Sequence, residues 1–343
     1  MKYAASLCLI VLLQTTAMPS FASGVLQLGV EVKGENVEIR ATDYRSMPAH
    51  RPPVGSIKRL QSIYFSLECS VNSDCGILRT PQETAPTDVE PDELVPILKD
   101  EGERVLGPFA DLIRTADEVR FRIDWSLLKL PLDLLYLNGD PIFLSKKISF
   151  TVGHPPSETL KAPSRNWIGL LVSDESADPD RAIFSLQKGF PRSQLFDIAQ
   201  FGLSRLQEME PVDFVAISGH GFVEGSGNDH ISIGDAEKLL PGSLVKLHPK
   251  LVYFDSCNLG VSTEHLKKLQ SGGTAYAVAP ILSNEAGDSS TATIELFFSE
   301  LAKGVDPVAA MSVARSRLYD RYAANDIRTK LWRAFPFRVY LLN

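Results

Sequence analysis

The sequence predicts an α/β protein, a mostly parallel sheet flanked by helices and preceded by a small β-rich N-terminal region. Three observations carry this. The short apolar runs 167–172, 212–217, 251–254 and 274–278 have the near-continuous hydrophobicity of strands buried on both faces. Amphipathic segments at 194–209, 263–270, 289–303 and 307–317 lie between or after them, which is the alternation of a helix-flanked parallel sheet. Residues 24–80 instead alternate with a period of two, as half-buried strands do.

Residues 1–22 have the three-part layout of a secretory signal. Met1 and Lys2 supply a positive start, and 4–13 form an apolar run too short to span a bilayer. Ser20-Phe21-Ala22 then places small residues where a signal peptidase reads, so cleavage is expected after Ala22. The mature chain is expected to be exported, periplasmic or secreted by a bacterial route, with no membrane anchor. Residues 25–32 and 37–40 form a hairpin around Gly34-Glu35-Asn36, and 63–67 is a further expected strand. Pro81, Pro86 and Pro91 among polar residues mark a linker.

At 92–116 the period changes. Leu94, Ile97, Leu98, Val105, Leu106, Phe109, Leu112 and Ile113 mark one face of one or two helices. A strand at 119–123 follows, then the Asn138-Gly139-Asp140 turn and an extended segment over 141–151. Further on, Asp306 before Pro307 starts a helix, Gly304 ends the preceding one, and 337–341 closes the chain as a strand. The expected organisation is a signal over 1–22, the β-rich region and linker over 23–91, and one large domain over 92–343.

Composition is that of a globular protein, 44% hydrophobic and 22% charged. A formal net charge of -7 leaves no basic footprint for nucleic acid or an anionic membrane surface. His, Cys, Asp and Glu nowhere cluster at metal-ligand spacing, so no metal and no cofactor are expected. Cleavage of the signal removes Cys8 and leaves Cys69, Cys75 and Cys257. Cys69 and Cys75 flank the turn-rich Ser-Val-Asn-Ser-Asp and are expected to close a small disulfide loop, leaving Cys257 alone. The lack of a Cys-x-x-Cys pair argues against a thiol oxidoreductase.

Two segments share one grammar. Residues 213–218 run into Gly219-His220-Gly221, and 251–256 run into Cys257-Asn258-Leu259-Gly260. Each puts a reactive side chain just past the carboxyl end of a buried strand, the edge of an α/β sheet where ligands bind. If the strands are neighbours, His220 and Cys257 face each other across a cleft. A thiol with a pKa of ~8.5 is only slightly ionised at neutral pH; an imidazole beside it takes the proton and later returns it to a leaving amine. The amides of Gly221 and Cys257 are the expected oxyanion donors. Taken singly, the histidine is as compatible with an exposed turn and the cysteine with a small core residue. Together, at equivalent strand ends and beside glycines, they point to nucleophilic catalysis.

A strand ending in His-Gly followed by one ending in Asp-Ser-Cys resembles the caspase-like (clan CD) cysteine peptidases, and more closely their CHAT branch. The resemblance spans roughly 92–343. Upstream it includes Arg120-Phe121-Arg122-Ile123-Asp124 and Leu130-Pro131-Leu132-Asp133-Leu134-Leu135; downstream it includes Gly272 to Val278, Leu296-Phe297-Phe298 and Gly304 to Arg315. It departs at Asp255-Ser256-Cys257-Asn258, where the branch more often has Ser/Ala-Ala-Cys followed by Glu, and at Ser283-Asn284-Glu285. It implies a caspase-like fold, a Cys257–His220 dyad, a protein or peptide substrate, and an activating protein partner if the enzyme is held latent. In relatives that cleave after Arg or Lys, the acid two residues before the cysteine lines the first specificity pocket. Asp255 is its counterpart here, and a role in capping a loop or bonding the backbone stands beside that one. The rival readings are a non-catalytic caspase-like interaction module and a Cys-dependent transpeptidase.

Overall fold

The computed structural model describes residues 24–42, 54–69, 91–153, 163–197, 205–206, 208–225, 227–233 and 237–342. The expected signal at 1–22, its cleavage site, most of the expected linker, and Cys75 lie outside them.

The N-terminal strands are β1 (Val25–Lys33), β2 (Asn36–Ala41) and β3 (Val54–Ser56). They are followed by α1 (Ile57–Cys69), α2 (Pro91–Val105) and α3 (Ala110–Thr115). Next come β4 (Glu118–Ile123), the ribbon of β5 (Tyr136–Leu137) and β6 (Asp140–Pro141), α4 (Ile142–Ser145) and β7 (Lys147–Val152). The half that carries the candidate residues begins with β8 (Gly169–Ser173), α5 (Ala182–Ser185), β9 (Gln194–Asp197) and β10 (Phe214–Ser218). A small antiparallel sheet follows, made of β11 (His220–Phe222), β12 (His230–Ile233) and β13 (Glu237–Leu239). The chain ends with β14 (Leu251–Asp255), α6 (Thr263–Ser271), β15 (Tyr276–Pro280), α7 (Asp288–Ala302), α8 (Pro307–Arg321), α9 (Ile327–Ala334) and β16 (Phe337–Leu341).

Eleven strands form one sheet in the order β3-β2-β1-β4-β7-β16-β15-β14-β10-β8-β9. Strands β9, β8, β10, β14 and β15 run parallel, and β16 reverses the direction against β15. Parallel pairing then continues through β7 and β4 to β1, and the β1–β2–β3 meander ends the sheet. This is the mostly parallel, helix-flanked α/β sheet that the sequence predicts.

Every residue of β8, β10 and β14 is buried, because helices cover both faces. Successive side chains go to opposite sides. Leu170, Val172, Val215, Ile217, Val252 and Phe254 join one apolar cluster with Leu266 and Leu269 of α6. Leu171, Phe214, Ala216 and Tyr253 join the other with Phe297 and Phe298 of α7 and Met311 of α8. At ~1.5–3 kcal/mol for each fully buried large apolar side chain, these two layers fix the direction in which β10 and β14 end. Asp306 caps α8 by accepting from the amides of Val308 and Ala309, both at 3.0 Å, and Gly304 follows α7 at φ +87.

Three predicted elements are corrected, the first being the extended segment expected over 141–151, whose residues Ile142–Ser145 form helix α4 before β7 begins at Lys147. Residues 63–67, expected as a strand, lie inside helix α1, where Leu60, Ile63, Tyr64 and Leu67 repeat at helical spacing on its buried face. Residues 194–197, expected to open a helix, form the edge strand β9, parallel to β8. Pairing with an existing edge outweighs the local helical pattern there. The sheet also crosses the expected division at residue 91, since β1 of the N-terminal region pairs with β4.

Candidate active site

Strands β10 and β14 are hydrogen-bonded neighbours with Ser218 opposite Asp255. Beyond that pair the Gly219 amide donates to the Asp255 carbonyl at 3.2 Å. His220 and Cys257 therefore leave the same edge of the sheet side by side, the adjacency on which the sequence reading depends. Gly221 seals the approach. A β-carbon at that position would lie 2.5 Å from the Cys257 carbonyl oxygen and 3.0 Å from its nitrogen, so only glycine lets the two backbones meet. His220 is exposed and Cys257 is partly buried. Among the described residues, Cys257 is the free cysteine.

In this arrangement the two side chains have separate partners. Nε2 of His220 lies 2.9 Å from Oγ of Ser176. That hydroxyl in turn donates to Oδ1 of Asp174 at 2.7 Å. With the hydroxyl proton directed at Asp174, Ser176 accepts from His220, which places a proton on Nε2. Asp174 is tied to the same edge, its amide donating to the Ser218 carbonyl at 3.0 Å. The Cys257 thiol donates to the carbonyl of Asn284 at 3.9 Å. Burial pushes this thiol above its ordinary value; the Asn284 contact opposes the shift, and the charges of Glu68 and Asp255 add to it.

Asp255 lies beneath the edge, 3% exposed. Oδ2 accepts from Ser218 at 2.7 Å, and Oδ1 accepts from Asn284 Nδ2 at 2.6 Å and from the Ser290 hydroxyl. Burial raises its carboxyl to about 6, against the opposing hydrogen bonds from Ser290 and Ser218. Both oxygens are thus engaged by neighbouring side chains, which gives this carboxylate a clear part in holding the Asn284 loop. The sequence reading set capping a loop or bonding the backbone beside a specificity role, and the partners of this carboxylate are side chains.

Asn258 turns the chain immediately after Cys257 with φ 60, a left-handed conformation that asparagine tolerates better than most residues. Its side chain is held at both ends. Tyr64 donates to Oδ1 at 3.2 Å, and Nδ2 reaches Glu68 Oε1 at 3.3 Å and Ser283 Oγ at 3.1 Å. Glu68 also accepts from the Ser283 amide at 2.7 Å and from the Ser283 hydroxyl. Among the described residues, Ser256 Oγ and Asn284 Oδ1 near Cys257 are buried without a hydrogen-bond partner.

Sequence reasoning reached His220, Gly221, Asp255 and Cys257 but missed Asp174, Ser176, Asn284 and Glu68. Asp174 and Ser176 follow β8, which the structure places beside β10 on the same edge. Among the described residues no group of three or more His, Cys, Asp or Glu could hold a metal ion, and no helix is long and apolar enough to cross a membrane.

No family model and no curated protein matches the chain. A solved structure of a protein from Mycobacterium smegmatis aligns with 80% of this chain and 95% of its own, at 10% identity and a TM-score of 0.19. A likeness that slight carries no argument about fold or function.

Proposed function

We propose that the mature chain is an exported, caspase-like cysteine endopeptidase in which Cys257 is the nucleophile and His220 the general acid–base. One observation carries the reading. A histidine and an unpaired cysteine leave adjacent parallel strands at the same edge, with the glycine after the histidine packed on the backbone of the cysteine.

In the proposed reaction His220 takes the thiol proton as sulfur attacks the scissile carbonyl. The Gly221 and Cys257 amides stabilise the oxyanion. The tetrahedral adduct collapses to a thioester as His220 protonates the departing amine. Water, deprotonated by His220, then attacks the thioester; the new peptide carboxyl leaves and the thiol regains its proton. At rest the thiol is raised and His220 contacts Ser176; in the proposal His220 also samples the Cys257 thiol without substrate, and that contact tightens on substrate binding. An activating protein partner acts, on this reading, by favouring the tightened arrangement. A Cys69–Cys75 disulfide is retained in the proposal as a clasp after α1.

The same resting features favour a second reading, a caspase-like module that binds partners without chemistry. A peptide-library digestion separates the two. The mature protein is expected to release new peptide carboxyls, and Cys257→Ala or His220→Ala to lower turnover by at least ~1,000-fold with the fold intact. Turnover that survives either substitution would sink the assignment. Joined rather than cleaved peptides would identify a transpeptidase.

A further inference from the structure

We infer that Glu68, on helix α1 of the N-terminal region, is a positioning residue for Cys257, acting through Asn258 on one side of the nucleophile and Ser283 on the other. The inference rests on the dyad reading given above.

Glu68 is fully buried and sits at the meeting of two chain segments. One is Asn258, which follows the nucleophile and adopts the left-handed turn that aims it. The other is Ser283, which precedes the Asn284 carbonyl that takes the thiol. The Glu68 carboxylate accepts from both, and Tyr64, one helical turn earlier, holds the other end of the Asn258 amide. Trp332 secures the far side by donating to the Ser283 carbonyl at 2.6 Å. Helix α1 thus fixes the residue after the nucleophile and the residue before its hydrogen-bond partner with one side chain.

A simple staple between α1 and the rest of the fold does not need this group. Leu60, Ile63 and Leu67 of the same helix are already fully buried in the main apolar cluster. A buried carboxylate is costly, and an apolar replacement at such a site is often neutral or stabilising. Among the described residues the hydrogen-bond partners of Glu68 are neutral donors. What the carboxylate adds is therefore geometry at the Cys257 loop and a negative charge close to the thiol. That charge is one of the causes that hold the thiol above its ordinary range.

The test compares Glu68→Gln with wild type in the mature chain, following the alkylation rate of Cys257 by iodoacetamide against pH. The glutamine is nearly isosteric and removes the charge. The inflection is expected to move to lower pH by ~0.5 unit or more, because a like charge no longer opposes the thiolate. The rate at pH 7 that depends on His220 is expected to change with it. An unmoved inflection, with only a lower melting temperature, would overturn the proposal and leave Glu68 a staple. Should Glu68→Gln not fold, Ser283→Ala keeps the carboxylate and loosens its grip. It should lower the His220-dependent rate at pH 7 about tenfold, and a rate equal to wild type would overturn the proposal. If wild type itself labels equally with and without His220, the dyad reading fails. That result is distinct from a His220-dependent wild type whose profile Glu68→Gln leaves unchanged.

Discussion

Two places in this molecule bury carboxylates, and they do so by opposite means. Asp133 has no exposed surface and is met by two guanidinium groups, Arg338 at 2.6 Å and Arg315 at 3.1 Å. Arg338, itself fully buried, also donates to the carbonyls of Leu128 and Leu130 at 2.7 and 2.6 Å. This knot joins the Leu-Pro-Leu-Asp turn to α8 and β16. At the candidate site, Asp255 is nearly as deep but is met by two hydroxyls and one amide. The scaffold balances charge with charge. At the site burial is not offset by an opposite charge, so desolvation raises its carboxyl to about 6 and also raises its thiol. Buried charges that are paired specify a fold, whereas buried groups left near neutrality retain protons that a reaction can use.

The largest effect is expected at the paired carboxylate. Asp133→Ala leaves Arg315 and Arg338 buried with no counter-charge, and should cost ~3–5 kcal/mol in equilibrium unfolding by urea. A loss below ~1 kcal/mol would mean that the knot is not charge-dependent.

The unpaired end should respond to pH instead. The folded value of Asp255, about 6, lies above its ordinary value of 3.8, so between these values the folded chain holds more protons than the unfolded one. Stability contributed by this group is therefore greatest at low pH and falls as pH rises through the window, by on the order of 3 kcal/mol. Asp255→Asn should flatten that part of the stability–pH curve, read from unfolding midpoints at pH 4 to 7. An unchanged slope would place the titration elsewhere. The smallest effect is expected for Ser218→Ala, which removes one neutral donor from Asp255. It should cost ~1 kcal/mol at neutral pH and raise the carboxyl further, moving the same inflection upward.

Much of the sheet was legible because its central strands are apolar throughout, and a strand buried on both faces has nothing else to be. The same reasoning put His220 and Cys257 at strand ends, and the pairing of Ser218 with Asp255 makes them neighbours. Helix α1 was not legible from the window used. Ile63 to Leu67 alone reads as an apolar strand, and only the addition of Leu60 reveals the helical period. That misreading also hid Glu68, because a glutamate just past an expected strand gives no reason to look for it 190 residues away at Asn258. Asp174 and Ser176 escaped for a different reason. They lie on an exposed turn, and their relation to His220 depends on the side-by-side order of β8 and β10, which no local pattern encodes.

If His220 acts on Cys257, the pH dependence of Cys257 alkylation reports it without knowledge of the substrate. Mature wild-type protein is compared with His220→Ala, using iodoacetamide and reading modification of Cys257 by mass. Wild type should show a labelling limb near neutral pH that His220→Ala loses. Only the limb above the ordinary thiol range, where burial places this group, should remain. Superimposable profiles in the two proteins would contradict the dyad and leave Cys257 a partly buried thiol at the end of a strand.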